Sequence, residues 1–401
     1  MQTTTDAPSP QATQHPMSLH IGIECDRGGA GRVISELMTH LPDAGFGFRG
    51  IVANQPNSAA DHSTVHSFAP ERAGLIRRLH SARTSIRAAL NEFKPDIVAS
   101  HFAMYSAPGI DLLKDSLTIS HFHGPWSEES SQEGEGNTAV AVKSYLEGTV
   151  YRRSHRVIVL SNAFRDLVTT RFGIDPDKVR LIPGSVDTKR FALDTPRNDS
   201  RAALDLPLDR PILVTVRRLV TRMGLSSLID AMTYVAAAVP DVLLCIAGQG
   251  PLKRSLQAQA ERLGLMRNIR FLGFVADEAL PHLFYAADIN VVPTIALEGF
   301  GLVAAEAMAT GTPSMVTPVG GLPEVVGGLS QNLIFSGTKA TDIAEGLIGA
   351  LTGALSLPAR QECREYVEGN FNSCLMALRT AEVYRELIEH RTQVPQGLKS
   401  V

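Results

Sequence analysis

The chain reads as an α/β protein built from two Rossmann-like domains that face one another across a cleft. Three observations predict this. Its 401 residues favour two or three domains over one. Short β-branched runs alternate with helical patterns, and the whole series occurs twice. The strand candidates are near-continuous apolar runs, as in parallel sheets covered by helices on both faces.

The opening "MQTTTDAPSPQATQHPMS" has neither a basic start nor an apolar core, so it is not a secretory signal and predicts a disordered lead over residues 1–17. The first domain is predicted over residues 18–205, with strand candidates "LHIGIEC", "FRGIVAN", "DIVASHF", "LTISHFHG", "RVIVLS" and "VRLIPG". Between the first two, "GRVISELMTHLPDAG" places Val33, Leu37 and Leu41 at helical spacing. A linker is predicted near 195–210, where "DTPRNDSRAALDLPLDRP" gathers Pro, Asp and Arg. The second domain follows over residues 206–373, with "PILVTV", "VLLCIAG", "IRFLGF", "INVVPT", "PSMVTP" and "NLIF" as strands. A helix over residues 374–395 closes the chain. Ligands of such sheets bind beyond the carboxyl ends of the strands, so the cleft is where function is sought.

Composition sets bounds on partners. With 38 Lys+Arg against 41 Asp+Glu the formal net charge is −3, which excludes a dominant nucleic-acid footprint. The most apolar stretch, "LIDAMTYVAAAVPDVLLCIAG", is broken by Asp230, Pro240 and Asp241, so no transmembrane helix is predicted. Cys25, Cys245, Cys363 and Cys374 lie far apart with no zinc spacing, and buried free thiols in a cytosolic protein are expected. Arg72, Arg77, Arg78, Arg83 and Arg87 cluster on an amphipathic helix. They read as a solvated face, with an anionic membrane or anionic acceptor as the alternative partner.

Four segments carry chemistry. In "CDRGGAGRV", Gly28, Gly29 and Gly31 follow the first strand and open a helix, where the backbone can approach an anion closely. The alternative there is a plain tight turn, and "AGQGPL" is read mainly as one. In "ISHFHGPW", His121 and His123 are assigned to opposite faces of a strand, with His123 at the tip that reaches the cleft. In "TVRRLVTRMGL", Arg217, Arg218 and Arg222 stand at a strand's carboxyl end, suited to a diphosphate or to a solvated basic turn. The most specific segment is "PTIALEGFGLVAAEAMATGTP": Glu298 precedes a glycine-bracketed loop, and Glu306 sits in the helix that follows. A helix N-terminus favours phosphate, and a carboxylate beside it can accept ribose hydroxyls. Burying Glu306 within "LVAAEAMA" without a partner or ligand would cost several kcal/mol. "DPD" at Asp175 to Asp177 is read as a Pro turn rather than a metal site.

Together and in this order, these segments resemble the large group 1 family of retaining glycosyltransferases with the GT-B fold. "EGFGLVAAE" carries most of the likeness, with support from "GGAGR", "HFHGPW", "VIVLSNAF" and "IPGSVDTKRF". The resemblance implies an N-terminal acceptor domain, a C-terminal nucleotide-sugar domain, and a terminal helix that returns to the first domain. By position, Glu306 would hold the ribose and Glu298 would contact the donor sugar or the charge near its anomeric carbon. Phe300, Gly301 and Leu302 would offer backbone amides, and Arg218 would bind the diphosphate. Gly28 and Gly29 would approach it from the other domain, and His123 would line the sugar site. No metal or cofactor is implied beyond the nucleotide sugar itself, with a UDP-sugar favoured; the acceptor is unassigned.

Two departures stand out. Where the family has Gly-Arg-Leu followed by a lysine, this chain has Arg217 for the glycine and Met223 for the lysine. Arg222, one residue earlier, is expected to supply the missing charge. "PGSVD" replaces the commoner "PNGVD" with another small, turn-compatible pair. The alternatives are an epimerase or phosphorylase of the same shape and, in view of Met223, a non-catalytic nucleotide-sugar-binding protein. "WSEESSQEGEGNTAV" is expected to be a mobile segment over the cleft, with Trp126 free to stack on a ligand.

Overall fold

The computed structural model describes residues 15–25, 28–54, 63–69 and 73–393. Most of the expected lead, Arg72 and the last two residues of the expected terminal helix lie outside these. Met17 already belongs to the first strand, β1 (Met17–Gly22).

Two all-parallel sheets form. The first comprises β1, β2 (Gly47–Val52), β3 (Val65–Ser67), β4 (Ile97–Ser100), β5 (Leu117–Phe122), β6 (Arg156–Val159) and β7 (Val179–Leu181), in spatial order β3-β2-β1-β4-β5-β6-β7. The second comprises β8 (Ile212–Val216), β9 (Leu243–Ala247), β10 (Ile269–Gly273), β11 (Ile289–Val292) and β12 (Ser314–Val316), in order β10-β9-β8-β11-β12. The apolar runs explain the sheets: β9, β11 and β12 are buried along their whole length, as strands with helices on both faces must be. The doubly wound α/β class is therefore the observed one. In each sheet the strand order reverses once, between β1 and β4 and between β8 and β11. Doubly wound sheets open a crevice at that switch point, beyond the strands' carboxyl ends.

Several local readings change. β3 is three residues long, and "VHS" gives no periodic signal. "NLIF" is a 3₁₀ turn, Gln331–Leu333, followed by an isolated parallel bridge from Ile334 to Val316. The stretch read as linker contains the helix Arg197–Ala203, and Arg197 and Arg201 clamp Asp288 of the second sheet at 2.5 and 3.0 Å. "WSEESSQEGEGNTAV" is helical at both ends: Trp126–Gln132 and the start of Asn137–Arg153. Buried Glu147 explains the first of these, accepting the N–H groups of Trp126 and Ser127 at 2.9 and 3.0 Å. Cys25, Cys245 and Cys363 are buried thiols as expected, whereas Cys374 is exposed.

The terminal helix, Ser373–Gln393, buries Met376, Ala377, Ala381, Tyr384 and Leu387 in the core that Val33, Leu37 and Phe46 form beside the first sheet. Its Glu386 also pairs with Arg156 and Arg180 at 2.5 and 2.6 Å. The helix Ser373–Gln393 thus packs on the domain that holds β1.

Candidate functional site

The two switch points supply the site, and each of its groups follows from a strand end. After β1 comes the helix Gly28–His40, whose exposed Gly28 holds a φ of +64°. A Cβ on Gly29 would lie 3.8 Å from Leu302, so the glycine turn and the start of the helix Leu302–Ala309 approach one another across the cleft. One turn further on, Arg32 forms an ion pair with Glu306 and reaches Asp277 at 3.2 Å. Glu306 is 5 % exposed, so the pairing supplies the partner that its apolar helix requires. Burial pulls the Arg32 guanidinium below its usual range, with Asp277 opposing.

β8 runs into Arg217, Arg218 and Arg222, which take up different places. Arg217 pairs with Glu298 and Thr294, and the side chains of Arg217 and Glu298 are only 9 % and 14 % exposed. Arg218 is more than half exposed and stands 3.7 Å from Glu133 of the first domain. Arg222 is buried, donating to the Leu297 carbonyl at 3.0 Å and pairing with Glu129 across the cleft at 3.0 Å. Arg222 is thus committed to a loop and to the other domain, and the charge nearest Glu298 belongs to Arg217. Met223 is buried in the core of the second domain, where an ammonium group would be desolvated. Glycines permit this crowding: a Cβ on Gly248 would fall 1.8 Å from the Arg217 carbonyl oxygen, and one on Gly250 would fall 2.4 Å from that of Leu219. "AGQGPL" is therefore a close-approach turn, and it lines, with Gln132, Glu133, Arg218 and Arg222, a cavity of about 470 Å³ between the domains.

β11 leads to Thr294 and then Glu298. Leu297 sits at φ +55°, an uncommon conformation for a bulky residue, with Arg222 holding its carbonyl. The side chain of Phe300 is buried against Phe371, 5.2 Å between centroids, so only its backbone can serve a ligand. Gly301 at φ +89° caps the helix in which Leu302 is first and Glu306 one turn in. Leu302 and Val303 supply the leading amides of that helix, the kind a helix N-terminus leaves without acceptors one turn back, while the Ala304 N–H bonds to the Gly301 carbonyl at 2.8 Å. Trp126 is already covered, with the Lys143 ammonium 4.5 Å above its ring and Phe102 at its edge.

The histidines correct an expectation. His121 and His123 lie on one side of β5, their rings 6.3 Å apart and 13° from parallel, because residues two apart on a strand share a face. His101, after β4, stacks between them at 4.3 and 5.3 Å, and His20 of β1 is 5.2 Å beyond it. Burial lowers His20 to about 3 and His123 to about 4, and pushes His101 and His121 well below the ordinary value. All four are neutral in the folded protein, whereas in the unfolded chain each titrates near pH 6.5. Unfolding therefore takes up protons once the pH drops below about 6.5. The stability is complete above that pH and is lost on acidification, at about 1.4 kcal/mol per pH unit for each histidine. The melting temperature is expected to fall steeply between about pH 6.5 and pH 5, and less steeply in His121→Gln. A flat profile contradicts burial of neutral imidazoles.

Arg32, Arg217, Thr294, Glu129 and Asp277 complete the constellation, and none was singled out by sequence for this role except Arg217, taken there as a phosphate ligand or basic turn. The "GGAGR" string did display Arg32 at one turn from Gly29. Among the described residues no group of three His, Cys, Asp or Glu stands close enough to hold a metal ion. Asp175 accepts the Asp177 N–H at 3.0 Å, as an Asx turn does. No described helix is long and apolar enough to cross a membrane.

Comparison with known proteins agrees with this fold. Residues 27–190 match the family profile "Glycosyltransferase Family 4", and residues 196–369 match "Glycosyl transferases group 1". An uncharacterized glycosyltransferase of Methanocaldococcus jannaschii is 33% identical over 214 residues, 53% of this chain and about half, 52%, of that protein. The glycogen synthase of Mycobacterium tuberculosis is 28% identical over 393 residues, 89% of this chain and 91% of the relative. Among solved structures, sucrose-phosphate synthase from Thermosynechococcus elongatus superposes with a TM-score of 0.78 at 23% identity, covering 94% of this chain and all of that one. Anabaena HepE in complex with UDP-glucose gives a TM-score of 0.74 at 20% identity, covering 93% and 100%. With a glycosyltransferase profile matched on each side of the cleft and the same two-sheet fold in its structural neighbours, the chain has the GT-B fold and is similar along most of its length to the group 1 glycosyltransferases.

Proposed function

We propose that the protein is a retaining, metal-independent transferase that moves a hexose-type sugar from a nucleoside-diphosphate sugar to a hydroxyl acceptor. The observation that carries this reading is the pairing of each acidic residue of the Glu-x7-Glu element with an arginine at the cleft: Glu298 with Arg217, Glu306 with Arg32. On this reading Glu306 is the acceptor for ribose hydroxyls and Glu298 faces the donor sugar, each with a guanidinium beside it. Glu306 exchanges Arg32 for the ribose, and the freed Arg32 guanidinium, with the exposed Arg218 and the helix N-terminus at Leu302, neutralises the leaving diphosphate. The bond from anomeric carbon to phosphate oxygen breaks with its electron pair going to the diphosphate. The acceptor oxygen attacks from the same face and passes its proton to the departing phosphate. Arginines aimed at that charge do what a cation does in other transferases, which is the ground for metal independence.

A UDP-sugar is the favoured donor, in keeping with the UDP and UDP-glucose complexes of HepE. Other relatives are named for GDP-mannose-dependent transfer. Contact with an anionic membrane belongs to the proposal only through Arg77 and Arg87, which are exposed; Arg78 and Arg83 are committed to Asn54 and Asp111.

Incubation with a panel of UDP-, GDP- and ADP-sugars, following release of the free nucleotide with and without EDTA, tests the reading. Slow hydrolysis of one donor is expected, and it survives EDTA. Glu306→Gln is expected to weaken donor affinity about ten- to a hundredfold, the worth of a charged hydrogen bond or two. Tight binding of a donor with no hydrolysis or transfer from any overturns the transferase reading; complete loss in EDTA, restored by manganese, overturns metal independence.

A further inference from the structure

Ser18, His20, His101 and His123 form a hydrogen-bonded chain running from β1 to the cleft end of β5. Its polarity is readable from one end. The Ser18 hydroxyl donates to the Gly47 carbonyl at 2.9 Å, and a carbonyl can only accept. Ser18 Oγ is therefore an acceptor toward His20 Nε2, 3.1 Å away, so that nitrogen carries the proton. A neutral imidazole has one N–H, which leaves His20 Nδ1 as acceptor from His101 Nε2 at 2.9 Å. By the same step His101 Nδ1 accepts from His123 Nε2 at 3.1 Å. His123 Nδ1 is then a bare lone pair, and among the described residues it is buried without a hydrogen-bond partner. It lies on the strand end next to Gly124, whose added Cβ would fall 3.4 Å from Glu129, the residue that pairs with Arg222 across the cleft.

We infer that Ser18, His20 and His101 are positioning residues: they fix the tautomer of His123 so that it offers a hydrogen-bond acceptor, not a donor, at the cleft. A bare imidazole nitrogen suits a hydroxyl proton, as on a sugar, and rejects a carbonyl or phosphate oxygen. That identification of the ligand's chemistry rests on the transferase reading; the tautomer does not. The chain can hold only while its imidazoles are neutral, and their burial provides for that. Reversing the chain would strip Gly47 of the Ser18 hydrogen bond and place a buried N–H without an acceptor at His123. One ordinary hydrogen bond biases the two forms about fivefold.

Two-bond proton–nitrogen correlation spectra of the full chain carrying ¹⁵N-histidine test the inference, with His123→Gln assigning the ring. Nε2 of His123 is expected to show a pyrrole-type resonance and Nδ1 a pyridine-type one. A protonated Nδ1, or an even mixture of tautomers, in the wild type overturns the inference outright, so the result does not depend on any variant folding. Ser18→Ala is expected to bring the ratio from about fivefold toward one, and Ser18→Thr to restore it. An unchanged ratio in a folded Ser18→Ala shows that the relay is not the cause. Donor turnover measured on the same samples separates the two readings: a bare Nδ1 in a protein that consumes no sugar nucleotide overturns the transferase reading and leaves the tautomer standing.

Discussion

Glu298→Gln is expected to lower kcat for donor hydrolysis by about 10²- to 10³-fold, the range for removing one preorganised electrostatic group from a reacting centre. The side chain keeps its shape and its hydrogen bond from Thr294 while losing its charge. The charge matters for two reasons. In the proposed reaction positive charge develops at the anomeric carbon as the diphosphate leaves, and Glu298 stands where the resemblance puts the group that meets it. Arg217 also loses its counter-ion at a site only 9 % exposed. An unpaired buried cation is expected to cost about 3 kcal/mol of stability or more, so unfolding must be measured beside turnover. Arg217→Ala is expected to lower kcat as well, and the double substitution to lower it by much less than the product of the two, because the residues act as one unit. Turnover of Glu298→Gln within about threefold of wild type would remove Glu298 from the chemistry, since a preorganised group is worth far more than that.

Much of this was legible in the residues. Two successive series of apolar runs imply two covered parallel sheets, and the glycines at 28, 29 and 301 mark strand-to-helix turns. Glu306 announced itself because an acid in "LVAAEAMA" needs a partner. The identity of that partner was not legible. Arg32 lies on the first helix and Glu306 in the second domain, and no local pattern links them. Arg222 looked like the replacement for a lysine at Met223, yet one residue's shift along a tight turn sends its guanidinium to Leu297 and Glu129. Arg217 was read as a diphosphate ligand or basic turn at a position where the family keeps glycine, and nothing in the string shows that its guanidinium folds back onto Glu298. The assignment of His121 and His123 to opposite faces misapplied the strand period, and with it the stack of imidazoles was hidden. Their neighbours in the stack lie on β1 and after β4, brought together only by the strand order.

Gly320→Ala is expected to destabilise the fold by about 2–5 kcal/mol, the sum of a left-handed alanine and an overpacked contact. Gly320 holds φ +56°, and its added Cβ would fall 1.9 Å from the carbonyl oxygen of Glu298 and 2.9 Å from its carbonyl carbon. That oxygen also accepts the Gly321 N–H at 2.9 Å, so the backbone bearing Glu298 is pressed directly onto the glycine pair. Gly353→Ala separates the two costs. Gly353 caps the helix Ala340–Thr352 at φ +79° with nothing within 4 Å of its added Cβ, so it pays only for conformation, about 1–2 kcal/mol. The excess for Gly320→Ala in urea unfolding measures how rigidly the approach holds the Glu298 loop. Residual folded Gly320→Ala is expected to turn over donor more slowly than Gly353→Ala, because relief of the clash displaces Glu298 from Arg217. Equal loss of stability and full turnover in both would mean that the loop yields freely, and that Arg217 and Arg222, rather than the glycine contact, hold the carboxylate in place.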